Sequence, residues 1–129
     1  MRRCSVLIVD DVEDTRDMYA EYLTFKGYLV DTAINGREGM AKAFAAKPDV
    51  IVLDLTMPGI DGFEAMRLLR ADRRTAKTFV VVVSGHALKG TEDAVMKAGA
   101  DVFLTKPCLP DDLEKTIVSR RQPAGRRRI

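Results

Sequence analysis

The sequence predicts an α/β domain in which five strands form one doubly wound parallel sheet. Three observations carry this. Five short β-rich apolar runs alternate with five helical patterns, and the connections between them are short. The run Val50 to Leu53 is apolar without alternation, as expected of a strand covered on both faces. Four of the five runs stop at a polar, reactive side chain, which is how strands sharing one working edge would read.

The elements follow in order. Ser5-Val-Leu-Ile-Val9 is the first strand and runs into Asp10-Asp11. Asp14 or Thr15 is expected to cap the next helix. Met18, Tyr19, Tyr22, Leu23 and Phe25 lie at helical spacing on its inward side, and Gly27 ends it in the left-handed conformation. Tyr28 to Ala33 is the second strand. Asn35-Gly36 starts the second helix, which turns Met40, Ala43 and Phe44 inward and closes at Lys47-Pro48.

The central strand covers 50 to 54 and ends at Asp54, with turn residues Pro58, Gly59 and Asp61-Gly62 soon after. Asp61 and Glu64 have the spacing of a capping box. Phe63, Met66, Leu68 and Leu69 make the inward stripe of the third helix. Phe79 to Val83 is the fourth strand, ending at Ser84-Gly85. A shorter helix lies between Ala87 and Ala98 and is interrupted near Gly90. Asp101 to Thr105 is the fifth strand, ending at Lys106-Pro107. Pro110 suits the first turn of a last helix, with Leu113, Ile117 and Val118 inward.

Length and composition bound the rest. The chain of 129 residues suffices for one domain with a core and not for two. We expect that domain over 1–121, with 122–129 a basic tail or truncated linker. An apolar content of 47% against 31% charged is that of a globular protein, and no apolar run reaches the roughly 20 residues a membrane span needs. The N-terminus lacks a signal-peptide pattern, so a cytoplasmic protein is expected. Five arginines lie within residues 120–129; removing them from the formal +2 leaves −3 for the body. Such a tail suits nucleic acid or an acidic surface, or is simply a frayed end. Cys4 and Cys108 belong to opposite ends of the sheet, about 17–20 Å apart for a typical strand. A disulfide needs Cα atoms within about 7 Å, so two free thiols are expected, as suits a reducing compartment.

Parallel strands bring Asp10, Asp11, Asp54, Ser84 and Lys106 to one edge. Three clustered carboxylates repel: at about 4 Å and an effective dielectric of about 20, each ionised pair costs roughly 4 kcal/mol. A lysine and a hard divalent cation relieve this. The oxygen-only donors, without Cys or His, favour Mg²⁺ or Mn²⁺. An Mg²⁺ ion with an incomplete protein shell, beside a lysine and a hydroxyl, suits a phosphoryl group.

These residues, in this order on successive strands, resemble the receiver domain of two-component response regulators. The resemblance rests on Asp10-Asp11, Asp54 followed by Met57-Pro58 and Asp61-Gly62, Ser84-Gly85, and Lys106-Pro107, and covers residues 5 to about 119. It implies the flavodoxin-like strand order 2-1-3-4-5, an order for which a receiver domain is a known example. Asp54 would accept a phosphoryl group from a sensor histidine kinase or a histidine phosphotransfer protein. Asp11, Asp54 and the backbone carbonyl of Thr56 would ligate Mg²⁺, with Asp10 acting mainly through water. Lys106 would pair with Asp54 and then with the phosphoryl group. Ser84 and Phe103 would switch, and Lys106-Pro107 would be a cis peptide. Thr56 and His86 would flank the phosphoryl group and tune its lifetime. Output would pass to a protein target through the face of the fourth helix, fifth strand and fifth helix.

The module would promote its own phosphorylation and dephosphorylation without turning over an external substrate. Two alternatives stand beside this. One is the same receiver cut from a longer hybrid kinase or transcription factor. The other is a phosphatase of the haloacid dehalogenase type, which places its nucleophile after the first strand in an Asp-x-Asp pattern, unlike Asp54-Leu-Thr56 here.

Overall fold

The structure is a computed structural model that describes residues 3–55, 57, 62–85 and 90–120. Its strands are β1 (Ser5–Val9), β2 (Leu29–Ala33), β3 (Val50–Asp54), β4 (Phe79–Ser84) and β5 (Val102–Thr105). They alternate with α1 (Glu13–Phe25), α2 (Gly36–Ala46), α3 (Gly62–Ala71), α4 (Thr91–Lys97) and α5 (Pro110–Ser119). All strands are parallel, in the order β2-β1-β3-β4-β5. The fold class and strand order are those expected.

Residues of β1, β3 and β4 alternate between two apolar layers. Leu7, Val9, Ile51, Leu53, Val80 and Val82 meet Ala43, Met66, Leu69 and Val95 of α2, α3 and α4. Val6, Ile8, Val50, Val52, Val81 and Val83 meet Tyr19, Leu23, Leu113 and Ile117 of α1 and α5. β3 and β4 are buried along their whole length, which explains their unbroken apolar character. Cys4 and Cys108 are both buried and are not joined in a disulfide.

Several local expectations are corrected. Helix α1 begins at Glu13, earlier than a cap at Asp14 or Thr15 allows. Val12 is its N-cap and supplies no side-chain cap. Asp10 Oδ1 instead accepts the Val12 amide at 2.9 Å, so the chain is already turned before Asp14. Met18, Phe25, Phe63, Leu68 and Val118 are exposed, not inward. Each lies at the border of its helix's apolar stripe, where the helix's rotation over the sheet settles the outcome. Phe25 is 85% exposed, since α1 ends there and the chain turns away through Gly27 at φ +99°.

Other expectations hold. Asn35 caps α2: its Oδ1 accepts the Glu38 amide at 2.8 Å, and Glu38 Oε1 accepts the Ile34 amide at 3.1 Å. Pro110 occupies the first turn of α5. The proposed Asp61–Glu64 capping box involves Asp61, which lies outside the described residues. So does the tail 122–129. Among the described residues, no helix is long and apolar enough to cross a membrane.

Candidate functional site

The ends of β1, β3, β4 and β5 converge at one edge of the sheet. β3 lies between β1 and β4, so a residue leaving β3 stands centrally among the others. That residue is Asp54, buried at the end of its strand and paired with Val83 of β4. Asp10 and Asp11 follow β1 beside it. One carboxylate oxygen from each of Asp10, Asp11 and Asp54 lies within 4.8 Å of the other two. On the far side, Lys106 Nζ donates to Asp54 Oδ2 at 2.9 Å. The Asp54 side chain is 3% exposed and that of Lys106 25%.

The geometry follows from the register. Ser84 pairs with Thr105, and the Lys106 amide donates to the Ser84 carbonyl at 2.9 Å as the last rung between β4 and β5. The long lysine chain must then reach across β4 to β3. Ser84 is buried at the end of β4, between the two. Phe103 is half-buried on β5, packed against the layer covered by α2, α3 and α4.

The electrostatics are those of a crowded acid cluster. Asp10 is raised above the ordinary carboxylate range chiefly by burial. The Val12 amide pulls it back, the charge of Asp54 adds to the rise, and Lys106 opposes it. One lysine faces three acids, so a divalent cation would settle the remaining charge. The donor set fits a hard ion: three carboxylates, with neither Cys nor His among them. Asp10, Asp11 and Asp54 are the residues available to hold it.

The structure brings Asp10, Asp11, Asp54, Ser84 and Lys106 to one edge, as the sequence implied, and the Lys106-Pro107 peptide is cis. Thr56 and His86 lie outside the described residues. Three further residues went unread in the sequence. Arg16 Nη1 donates to the Asp10 carbonyl at 3.0 Å. Tyr19, expected only as core, donates its hydroxyl to the Cys108 carbonyl at 2.7 Å. Burial, ahead of Cys108 itself, pushes its phenol up, so it stays a donor. Arg70 binds the loop leading into β5. Its position four residues after Met66 was the one available signal, a cation bordering an apolar stripe.

Known proteins resemble this chain in both sequence and fold. The family profile described as "Response regulator receiver domain" matches residues 6–118. Protein PilH of Pseudomonas aeruginosa is 37% identical over 112 residues, covering 87% of this chain and 93% of PilH. Response regulator PleD of Caulobacter vibrioides is 40% identical over 104 residues, covering 79% of this chain and 22% of PleD. This chain thus spans about a fifth of PleD's length, and it spans 42% of the transcriptional regulator RpaA of Synechocystis. Among solved structures, chemotaxis protein CheY4 of Vibrio cholerae superposes with a TM-score of 0.84 at 34% identity, covering 91% of this chain and 98% of CheY4. A CheY-like receiver domain protein from Methanospirillum hungatei gives 0.86 at 27% identity, covering 98% of each chain.

Proposed function

The chain belongs to the receiver-domain family of response regulators, and from that premise we propose that it is the phosphoacceptor module of a two-component system, with Asp54 as its phosphorylation site. One observation carries the reading: a buried aspartate, 2.9 Å from a lysine ammonium, stands within a cluster of three carboxylates at the edge of the sheet.

A carboxylate oxygen of Asp54 attacks phosphorus, and the bond from phosphorus to the donor's imidazole nitrogen breaks. The donor is a phosphohistidine on a sensor histidine kinase or a histidine phosphotransfer protein. Such transfer needs positioning and charge neutralisation more than covalent help. Asp11, Asp54 and the Thr56 carbonyl, with Asp10 through water, would hold Mg²⁺ or Mn²⁺, which would supply positive charge to offset that of the phosphoryl oxygens. Lys106 leaves its pairing with the free Asp54 carboxylate and pairs with a phosphoryl oxygen. The Ser84 hydroxyl donates to another, and Phe103 fills the space vacated. The new charge on Asp54 thereby biases a two-state element and alters partner binding at the face of α4, β5 and α5. Thr56 and His86 set how long the acyl phosphate lasts.

The test is intact mass after incubation with Mg²⁺ and acetyl phosphate. The parent protein is expected to gain one phosphoryl group and Asp54→Asn none. Equal gain in both would sink the assignment of Asp54. A second reading, the same module within a longer regulator, is supported by the short span of PleD and RpaA that this chain matches. Its domain chemistry is the same.

A further inference from the structure

Nothing in the phosphoryl-transfer scheme uses Tyr19. Its ring is buried in the layer beneath α1 and α5, and its hydroxyl reaches a carbonyl 89 positions away in the chain. That carbonyl belongs to Cys108, two residues beyond Lys106. Once past Thr105 the chain has left the sheet. The Lys106 amide still holds the Ser84 carbonyl, and Leu109 accepts from Leu113 at the start of α5. Among the described residues, the Tyr19 bond is the hydrogen bond that ties segment 107–109 to α1.

The same helix grips the opposite half of the site. Asp10 Oδ1 accepts the Val12 amide just ahead of α1, and Arg16 Nη1 donates to the Asp10 carbonyl. Arg16 and Tyr19 are three residues apart and so are neighbours on the helix surface. One rigid element therefore touches both the strand end that carries the acid pair and the segment that follows the lysine. The distance between those halves is what a lysine reaching from β5 to β3 must match.

We infer that Tyr19 is a positioning residue for phosphoryl transfer: through the Cys108 carbonyl, its hydroxyl holds the backbone behind Lys106 so that the ammonium stands over Asp54. This rests on the reading of Asp54 as phosphoacceptor. Tyr19→Phe keeps the ring in the core and deletes only the donor. The lysine then loses its fixed height relative to the phosphoryl oxygens. A misplacement of about 1 Å can cost up to about a hundredfold in rate, and loss of one of several tethers is expected to cost about tenfold.

The experiment is a double-mutant cycle on the full chain with Mg²⁺ and acetyl phosphate. Tyr19→Phe is expected to lower the maximal phosphorylation rate about tenfold with the half-saturating acetyl phosphate unchanged, because the lysine contact strengthens at the transition state. In a Lys106→Ala background the same change is expected to alter the rate by less than about twofold. An equal drop in both backgrounds, or no drop in the first, overturns the proposal. Tyr28→Phe, which deletes a tyrosine hydrogen bond to Glu114 away from the site, is the control and should leave the rate unchanged. Replacing Tyr19 with 4-aminophenylalanine retains a donor and should restore most of the rate.

Labelling of the Lys106 amine by an acetylating reagent, read by mass spectrometry without Mg²⁺ or phosphoryl donor, separates two kinds of failure. A parent protein that takes no phosphoryl group defeats the assignment of Asp54. Labelling that rises severalfold in Tyr19→Phe still upholds the link from Tyr19 to Lys106, and unchanged labelling defeats it.

Discussion

Arg70 Nη2 lies 2.9 Å from Asp101 Oδ2, the same oxygen that accepts the Val80 amide at 2.8 Å. The guanidinium also donates from Nε and Nη2 to the Gly99 carbonyl, and from Nη1 to the carbonyls of Thr75, Ala76 and Thr78. One side chain thus joins α3, the entry to β4 and the turn into β5, at the end of the sheet opposite the acid cluster.

Replacing Arg70 with Ala removes one donor from each of several carbonyls and from a partly buried carboxylate. A loss of about 2–4 kcal/mol is expected, since a hydrogen bond to a charged group contributes about 1.5–3 kcal/mol and water re-enters here. Arg70→Lys should recover little, because an ammonium lacks the planar fork. Urea unfolding measures both. Phosphorylation of the folded fraction at low temperature should be unchanged, as Arg70 touches no group of the site.

Gly39 sits where α2 crosses β1. A Cβ there would stand 2.8 and 2.9 Å from the two methyl groups of Val9. Alanine improves helix propensity by about 1 kcal/mol over glycine, but overpacking costs about 1–3 kcal/mol. Both Val9 methyls oppose the new atom, so the clash should win and Gly39→Ala should destabilise. In a Val9→Ala background the opposing methyls are gone, and Gly39→Ala is expected to be neutral or stabilising. A loss of equal size in both backgrounds would refute the steric account.

Asp10 makes the apo protein sensitive to pH in a stated direction. Its folded pKa is raised above the ordinary value, mainly by burial, so ionisation opposes folding. This penalty is absent below the unfolded carboxylate pKa, grows as pH rises, and is complete above the raised folded value. Asp10→Asn keeps an oxygen for the Val12 amide and removes the charge. Without Mg²⁺ it should raise the melting temperature at neutral pH, by on the order of 1 kcal/mol of stability. It should also shrink the gain in melting temperature that Mg²⁺ produces. Asp72 acts in the opposite sense: hydrogen bonds from Arg74 hold it down to about 2, so its contribution is present above the ordinary carboxylate value and lost as pH falls toward 2.

His86 lies two residues after Ser84, as Thr56 lies two after Asp54. If these positions flank the phosphoryl group as family likeness implies, His86→Ala should change the rate at which the phosphorylated protein loses phosphate. Timed intact-mass measurement after removal of the donor reports it. An unchanged rate would assign His86 no kinetic part.

The architecture and the chemistry-bearing residues were legible in the chain because both are written locally. An unbroken apolar run such as 50–53 can be satisfied only by burial on both faces, and five short strand-like runs alternating with helical patterns leave few topologies. The polar residues at four of the five strand ends then fall on one edge by geometry alone, which located Asp10, Asp11, Asp54, Ser84 and Lys106. Side-chain partners far apart in sequence were not legible. Tyr19 read as an inward aromatic, but that its hydroxyl meets Cys108 depends on how α1 rests against the segment after β5. Arg70 went unread, although it satisfies carbonyls from two separate loops. Phe25, Phe63, Leu68 and Val118 border their apolar stripes, where a small rotation about the helix axis moves a side chain between core and water. Periodicity defines a stripe's centre but not its edges, and hydrogen bonds between distant segments exist only once packing has set the distances.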